Sequence, residues 1–217
     1  MAELNESGKK LTVKIVYYGP ALSGKTTNLI WLHNIISPDK SGEMMTLDTK
    51  GDRTLFFDLL PIAVTTKNDC MIKFKIFTVP GQVAHDATRK AVLSRADGVV
   101  FVADSHKNQS VNNFQSFENL ENNAKRTGLD FESLPLVVQF NKRDLDSIES
   151  EDDINQLWEP SGIPVFFSSA IKGHGVVQTF NKILTLVYHK LDSDYALNAK
   201  YGITLDNLLS IVTGESL

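Results

Sequence analysis

Val13-Lys-Ile-Val-Tyr-Tyr18 runs without a break into Gly19-Pro-Ala-Leu-Ser-Gly-Lys25-Thr26, and this junction decides how the chain folds. The first half is β-branched and aromatic, as a buried strand requires. The second is bracketed by glycines, which let backbone N–H groups close on an anion. Residues 25–36 carry a helical pattern, so the loop joins a strand to a helix N-terminus, whose partial positive charge favours phosphate. Lys25 is placed to neutralise β- and γ-phosphates, and Thr26 to offer its hydroxyl to Mg²⁺. The alternative is a chance glycine spacing, and the strand before the loop and the helix after it argue against that.

Outward from the loop, strand signals recur with helical stretches between them. Residues 55–64 and 71–79 are two strands separated by the polar Thr65-Thr-Lys-Asn-Asp69, which reads as a hairpin turn. Residues 98–103, 135–140 and 163–167 are short apolar runs of the kind buried on both faces of a parallel sheet. Helices are expected over 25–36, 111–127 and 176–191. The pattern predicts an α/β three-layer sandwich, mostly parallel, with one antiparallel hairpin. The expected division is a polar segment at 1–10, one nucleotide-binding domain over 11–192 and an extension at 193–217. Within that extension Thr204 is a candidate cap for a short helix ended by Gly214. Its Leu205, Leu208, Leu209 and Val212 share a face that either packs on the domain or docks a partner or membrane.

Composition narrows the function. The 217 residues suit one domain, and the net charge of −4, with no long run of Lys or Arg, argues against nucleic acid. Cys70 is the only cysteine, which leaves no intrachain disulfide and fits a reducing compartment. Neither a signal-peptide pattern nor a lipidation motif is present, so the expected location is the cytoplasm without a direct membrane anchor. The five histidines lack metal-ligand spacing.

Two more motifs follow in order. Pro80-Gly81-Gln82 comes after a strand and can sense a γ-phosphate. Asn141-Lys142-Arg143-Asp144 follows the buried run Leu136-Val-Val-Gln-Phe140, at a strand's C-terminal end where such sheets bind ligands. Asp144 can accept hydrogen bonds from guanine N1–H and its exocyclic amine, and adenine offers neither in that geometry. The Lys142 stem suits the face of a base. Ser168-Ser169-Ala170 follows another strand, where the Ala170 N–H can donate to guanine O6. This guanine signature argues against a kinase or ATPase.

On these residues the chain resembles the Ras-like small GTPases, which are P-loop NTPases, and more narrowly the MglA-type bacterial GTPases that set cell polarity for gliding motility. The likeness is carried by Lys14-Ile-Val-Tyr-Tyr-Gly-Pro20, Gly24-Lys-Thr-Thr-Asn28, Arg53-Thr-Leu-Phe-Phe-Asp58, Thr78-Val-Pro-Gly-Gln82, Asp97-Gly-Val-Val-Phe-Val-Ala-Asp104 and Asn141-Lys-Arg-Asp-Leu145. It covers roughly residues 10–190. It implies a Ras-like G domain that binds GTP or GDP with Mg²⁺ and hydrolyses GTP. The implied phosphate contacts are Gly19, Ala21, Leu22, Ser23, Gly24, Lys25, Thr26, Thr27 and Gly81; the implied base contacts are Asn141, Lys142, Asp144, Ser169 and Ala170. Thr54 matches the switch threonine that joins Thr26 on Mg²⁺. Gln82 matches the glutamine that orients the attacking water, and Arg53 matches an arginine supplied in cis. A Roadblock-type activating partner of the MglB kind, an exchange factor, polarity effectors and recruitment to a cell pole are implied as well.

Two residues depart from the wider Ras pattern. Thr78 stands where an Asp usually supports Mg²⁺; Asp58 is either its substitute or a solvent-facing residue of an alternating strand. Ala21 replaces a usual Gly and could crowd Gln82 or the γ-phosphate, which keeps a hydrolysis-deficient GTP-binding module as the alternative function. Ile171, where relatives often carry Lys, can still flank a purine. The polar stretch 37–52 is expected to be a loop that acts as the first switch, and 83–89 the second.

Overall fold

The computed structural model describes residues 2–5, 9–36, 39–48, 56–66, 68–82 and 85–214. Among the described residues eight strands form one sheet: β1 (Glu3–Asn5), β2 (Lys10–Tyr18), β3 (Met45–Asp48), β4 (Phe56–Thr65), β5 (Met71–Thr78), β6 (Gly98–Asp104), β7 (Leu136–Asn141) and β8 (Val165–Phe167). Their order is β3-β4-β5-β2-β6-β7-β8, with β1 paired to the start of β2. From β5 through β8 every neighbour is parallel. The hairpin read from residues 65–69 joins β4 to β5 antiparallel, and β3 extends that edge, antiparallel to β4.

Alternation along β2 divides the core between the two faces. Leu11, Val13, Ile15 and Tyr17 face one helical layer, built from α1 (Lys25–Ile35) and α5 (Val176–Tyr195). Val16 and Tyr18 face the other, which includes α2 (Asp86–Leu93), α3 (Ser110–Arg126) and α4 (Glu151–Trp158). β6 is buried at all seven positions, and its first six form the continuous apolar run that a central parallel strand demands before Asp104 ends it. The parallel strands therefore all present their C-terminal ends, and the loops that follow them, on one edge of the sheet.

After α5 the chain forms α6 (Leu197–Tyr201) and α7 (Leu205–Thr213). Thr204 caps α7 by accepting from the Asn207 N–H at 3.3 Å, and Gly214 ends it. The apolar stripe is turned inward: Leu208, Leu209 and Val212 join the cluster that contains Leu11, Val13, Ile72 and Phe74. Leu209→Ala should therefore cost about 2–5 kcal/mol in denaturant unfolding. A change below about 0.5 kcal/mol, the usual range for a surface substitution, would mean that α7 does not contribute to the core.

Elements β1, β3, α2, α4 and α6 match none of the strand and helix ranges expected from sequence. The two strands are only three and four residues long and exist by pairing with an edge already formed. Residues 45–48, read as part of a loop, are strand for that reason. The α4 segment is only eight residues long and buries a single residue, Ile154, too short a stretch to stand out beside the longer helical runs. It is set instead by Ser150, which accepts from the Asp153 N–H, and by three acidic residues in the first turn.

Candidate nucleotide-binding site

The phosphate loop leaves β2 at Gly19 (φ 143°), passes Leu22 in the left-handed region and enters α1 at Gly24 (φ 98°). A Cβ at Gly24 would stand 2.2 Å from Asn141 Nδ2, so glycine is required both by the backbone and by its neighbour. Gly24 caps α1 without any side-chain hydrogen bond, which keeps the helix's first N–H groups for an incoming anion. Ser23 Oγ is buried and has no partner. These features fit a phosphate chain.

Lys25 is buried, and its ammonium donates to the carbonyls of Pro20 (2.6 Å) and Gly19 (3.1 Å). Burial pushes its pKa down to about 7, helped by the nearby Arg89 charge and opposed by Asp58. A phosphate placed beside it must push that value back up. Nucleotide binding above pH 7 should then take up part of a proton, and affinity should fall by up to about tenfold per pH unit. Calorimetry in buffers of different ionisation enthalpy reads this directly. A binding enthalpy that is the same in each would mean Lys25 is already fully charged.

Asp58 lies in β4 and is only 7% exposed, so the solvent-facing reading is wrong. Its Oδ2 accepts from Thr26 Oγ1 at 2.6 Å and from Thr78 Oγ1 at 3.0 Å, while Oδ1 accepts from Thr46 Oγ1 at 3.0 Å. The Asp58 N–H in turn donates to Thr78 Oγ1 at 2.8 Å. Thr78 thus holds the carboxylate from the neighbouring strand, where it cannot itself carry a charge. Thr26, giving its proton to Asp58, keeps its lone pairs for a cation. This donor set fits Mg²⁺, which uses one or two protein oxygens and takes the rest from phosphate and water. Among the described residues no group of three or more His, Cys, Asp or Glu assembles for a metal.

The loops expected to read the base meet at Asn141. Its Nδ2 donates to the Ser23 carbonyl (2.8 Å), and its Oδ1 accepts from the Ala170 N–H (2.8 Å) and from Ser168 Oγ (3.0 Å). One buried side chain therefore ties the phosphate loop to both loops expected around guanine. In this arrangement the Ala170 N–H is directed at the Asn141 side-chain oxygen and not left free for a purine. Asp144 is exposed, and the Ser169 hydroxyl at 2.6 Å holds its carboxyl below the usual carboxylate range. Lys142, at φ 70°, pairs with Asp104 Oδ2 at 2.7 Å.

Gly81 packs directly on the phosphate loop: a Cβ there would lie 2.2 Å from Ala21 Cα. Gln82 beside it is exposed. Arg53 and Thr54 lie outside the described residues, as do Val83 and Ala84 of the second switch. Thr27 follows Thr26 in the first turn of α1.

Sequence reasoning passed over Arg89. It is fully buried, lies 4.4 Å over the Tyr18 ring, and donates to Tyr18 Oη (3.1 Å), Ser116 Oγ (2.9 Å) and the Gly81 carbonyl (3.2 Å). One turn earlier, Asp86 accepts from Asn119 and Asn123 on α3 and from Arg126. Those α3 residues recur at 116, 119, 123 and 126, a polar stripe at helical spacing that could have signalled a buried polar face.

The chain matches the ADP-ribosylation factor family over residues 2–187. It is 40% identical to the mutual gliding-motility protein MglA of Myxococcus xanthus over 191 residues, 88% of this chain and 98% of that one. The Ras-related proteins Rab11C of Lotus japonicus and Rab2BV of Beta vulgaris are 28% and 27% identical over 179 residues, 81% of this chain and 75% and 76% of theirs. The family and MglA matches both extend over most of the chain: it belongs to the ADP-ribosylation factor family of Ras-like small GTPases and is related to MglA.

Proposed function

We propose that this GTPase is a polarity or motility switch whose GTP-bound form selects effectors. The observation that carries the reading is the Asn141 side chain, which binds Ser23 and Ala170 at 2.8 Å and so makes phosphate and base recognition one unit. In this reading Gly19, Ala21, Leu22, Ser23, Gly24, Lys25, Thr26, Thr27 and Gly81 wrap the phosphates. Asn141, Lys142, Asp144, Ser169 and Ala170 form the base site, with the Ala170 N–H turning from Asn141 to guanine O6 when the purine enters. Thr26 and Thr54 hold Mg²⁺, which offsets phosphate charge when bound. Arg53 and Gln82 serve hydrolysis, the first by stabilising charge and the second by orienting water.

The likeness to a gliding-motility protein, with 98% of that chain covered, supports a role in bacterial polarity. In this reading a Roadblock-type activating partner of the MglB kind, an exchange factor and polarity effectors act on the protein, which is recruited from the cytoplasm to a cell pole. No helix among the described residues is long and apolar enough to cross a membrane. Single-turnover GTP hydrolysis with and without a Roadblock-type partner tests the proposal. Slow basal cleavage accelerated by the partner supports a switch. Tight GTP binding with no cleavage under either condition would make the protein a nucleotide-locked module instead.

A further inference from the structure

A cavity of about 350 Å³ opens between α3 and α4, away from the phosphate loop. Its floor is aromatic: Phe117 meets Phe101 edge-on at 5.1 Å and Trp158 at 4.9 Å, and Trp158 also faces Phe140. Its rim carries Phe114 and Leu157, which are 69% and 74% exposed. The Trp158 ring N–H is buried and has no hydrogen-bond partner. An apolar cavity with exposed anchors and an unused donor is built to receive something. The described lining includes two carboxylates, Glu149 and Asp153, and no cation. Glu151, in the same first turn of α4, lies outside this lining and pairs with Arg143 at 3.8 Å, so the cavity's own charge comes from Glu149 and Asp153. Charge therefore selects a basic occupant.

The polar wall of this cavity is bonded to the loop assigned to guanine. Asn113, in the lining, accepts from the Asp104 N–H (2.9 Å) and donates to the Asp104 carbonyl (2.8 Å). The Asp104 carboxylate is the partner of Lys142. Glu149 donates its N–H to the Ser105 carbonyl (2.9 Å), and its own carbonyl accepts from the Arg143 guanidinium (2.7 Å). Its carboxylate accepts from Ser110 on α3 (2.7 Å). An object that separates α3 from α4 must therefore pull on Asp104 and Arg143, and through them on the strand end that carries Asn141 to Asp144.

We propose that the α3–α4 cavity is a docking site for a basic segment of a partner protein that inserts an apolar side chain against Trp158, and that its occupancy adjusts the hold of the Asn141–Asp144 loop on guanine nucleotide. The coupling rests on the base-site assignment above; the docking does not. This surface lies apart from the γ-phosphate sensors Gly81 and Gln82, so it regulates nucleotide exchange and not the reading of GTP against GDP.

The test uses the full chain and a fluorescein-labelled peptide amide that alternates pairs of Lys with pairs of Leu or Phe, with a Glu-for-Lys counterpart as the control. Anisotropy should show binding of the Lys peptide alone, weakened at least about tenfold by Phe114→Ser with Leu157→Ser and by Asp153→Lys. Saturating peptide should change the release rate of mant-GDP by at least about threefold. In Asn113→Ala the peptide should still bind while the release rate no longer responds. Binding that ignores the Phe114, Leu157 and Asp153 substitutions would overturn the docking site. A release rate insensitive to saturating peptide would overturn the coupling. Failure of mant-GDP to bind without peptide would instead remove the base-site assignment, and the anisotropy titration would still decide the docking.

Discussion

Asp58→Asn should raise the Mg²⁺ concentration needed for tight GTP binding by about 10- to 100-fold, the usual cost of losing a group that orients a metal ligand. Affinity for GDP in excess chelator should stay within about threefold of the unaltered protein, a free-energy change of under 1 kcal/mol. Asp58 takes the Thr26 proton at 2.6 Å and is itself fixed by Thr78 and Thr46. Asparagine keeps the shape and the bond to Thr78 but removes the charge that turns Thr26 toward a cation. A companion variant separates this from misfolding. Asp58 and Thr78 face each other across β4 and β5, with oxygens 3.0 Å apart. Moving the carboxylate to the other strand in Asp58→Asn/Thr78→Asp should restore much of the Mg²⁺ response. If the single variant binds GTP with an unchanged Mg²⁺ requirement, Asp58 has no part in the metal site.

That same carboxylate marks how far the sequence could be read. The loop from Gly19 to Thr26 and the ends of β2, β6 and β7 were legible because glycine spacing and continuous apolar runs are local signals. Thr78 was visible as a gap in the pattern, but its compensation is a contact between strands, and only register places Asp58 beside it. Arg89 was hidden for a related reason. A charged residue in a helical stretch looks like a solvated face until the polar stripe on α3 is brought against it. Asn141 was read as a base contact, and nothing in Asn-Lys-Arg-Asp tells that its amide also spans to Ser23. The short strand β3 was read as loop because four residues carry too little periodicity to stand without their partner β4.

These hidden contacts share a layout. Gly81 touches the phosphate loop at Ala21, its carbonyl accepts from Arg89, and Arg89 is anchored to Tyr18 and Ser116. In the proposed switch, a shift of the Gly81 peptide would therefore be passed to α2 and α3. The α2–α3 contact includes a polar network of hydrogen bonds and one ion pair around Asp86 and Arg89. Such contacts can exchange partners at lower cost than an interdigitated apolar seam, which suits a surface that must have two arrangements.

Arg53→Ala should leave GTP binding intact and slow hydrolysis by at least about a hundredfold, since an arginine on the transferring phosphoryl group is worth roughly 10³–10⁵ in rate. The need for it follows from what the other cations near the phosphate loop are doing. Lys25 is held within the loop by the Gly19 and Pro20 carbonyls, in position for the ground-state phosphates. Arg89 is fully buried and spends its donors on Tyr18, Ser116 and Gly81. Charge that develops in the transition state then calls for a cation that those bonds do not occupy. Arg53 precedes β4 by three residues, and β4 brings Asp58 to Thr26, so the chain length allows Arg53 to reach the same phosphates. Single-turnover cleavage should show the loss both with and without an activating partner. Rescue by an arginine-bearing partner would move the catalytic cation from this chain to its activator. Unchanged turnover in Arg53→Ala would leave positioning by Gln82 and the loop dipoles as the source of the rate.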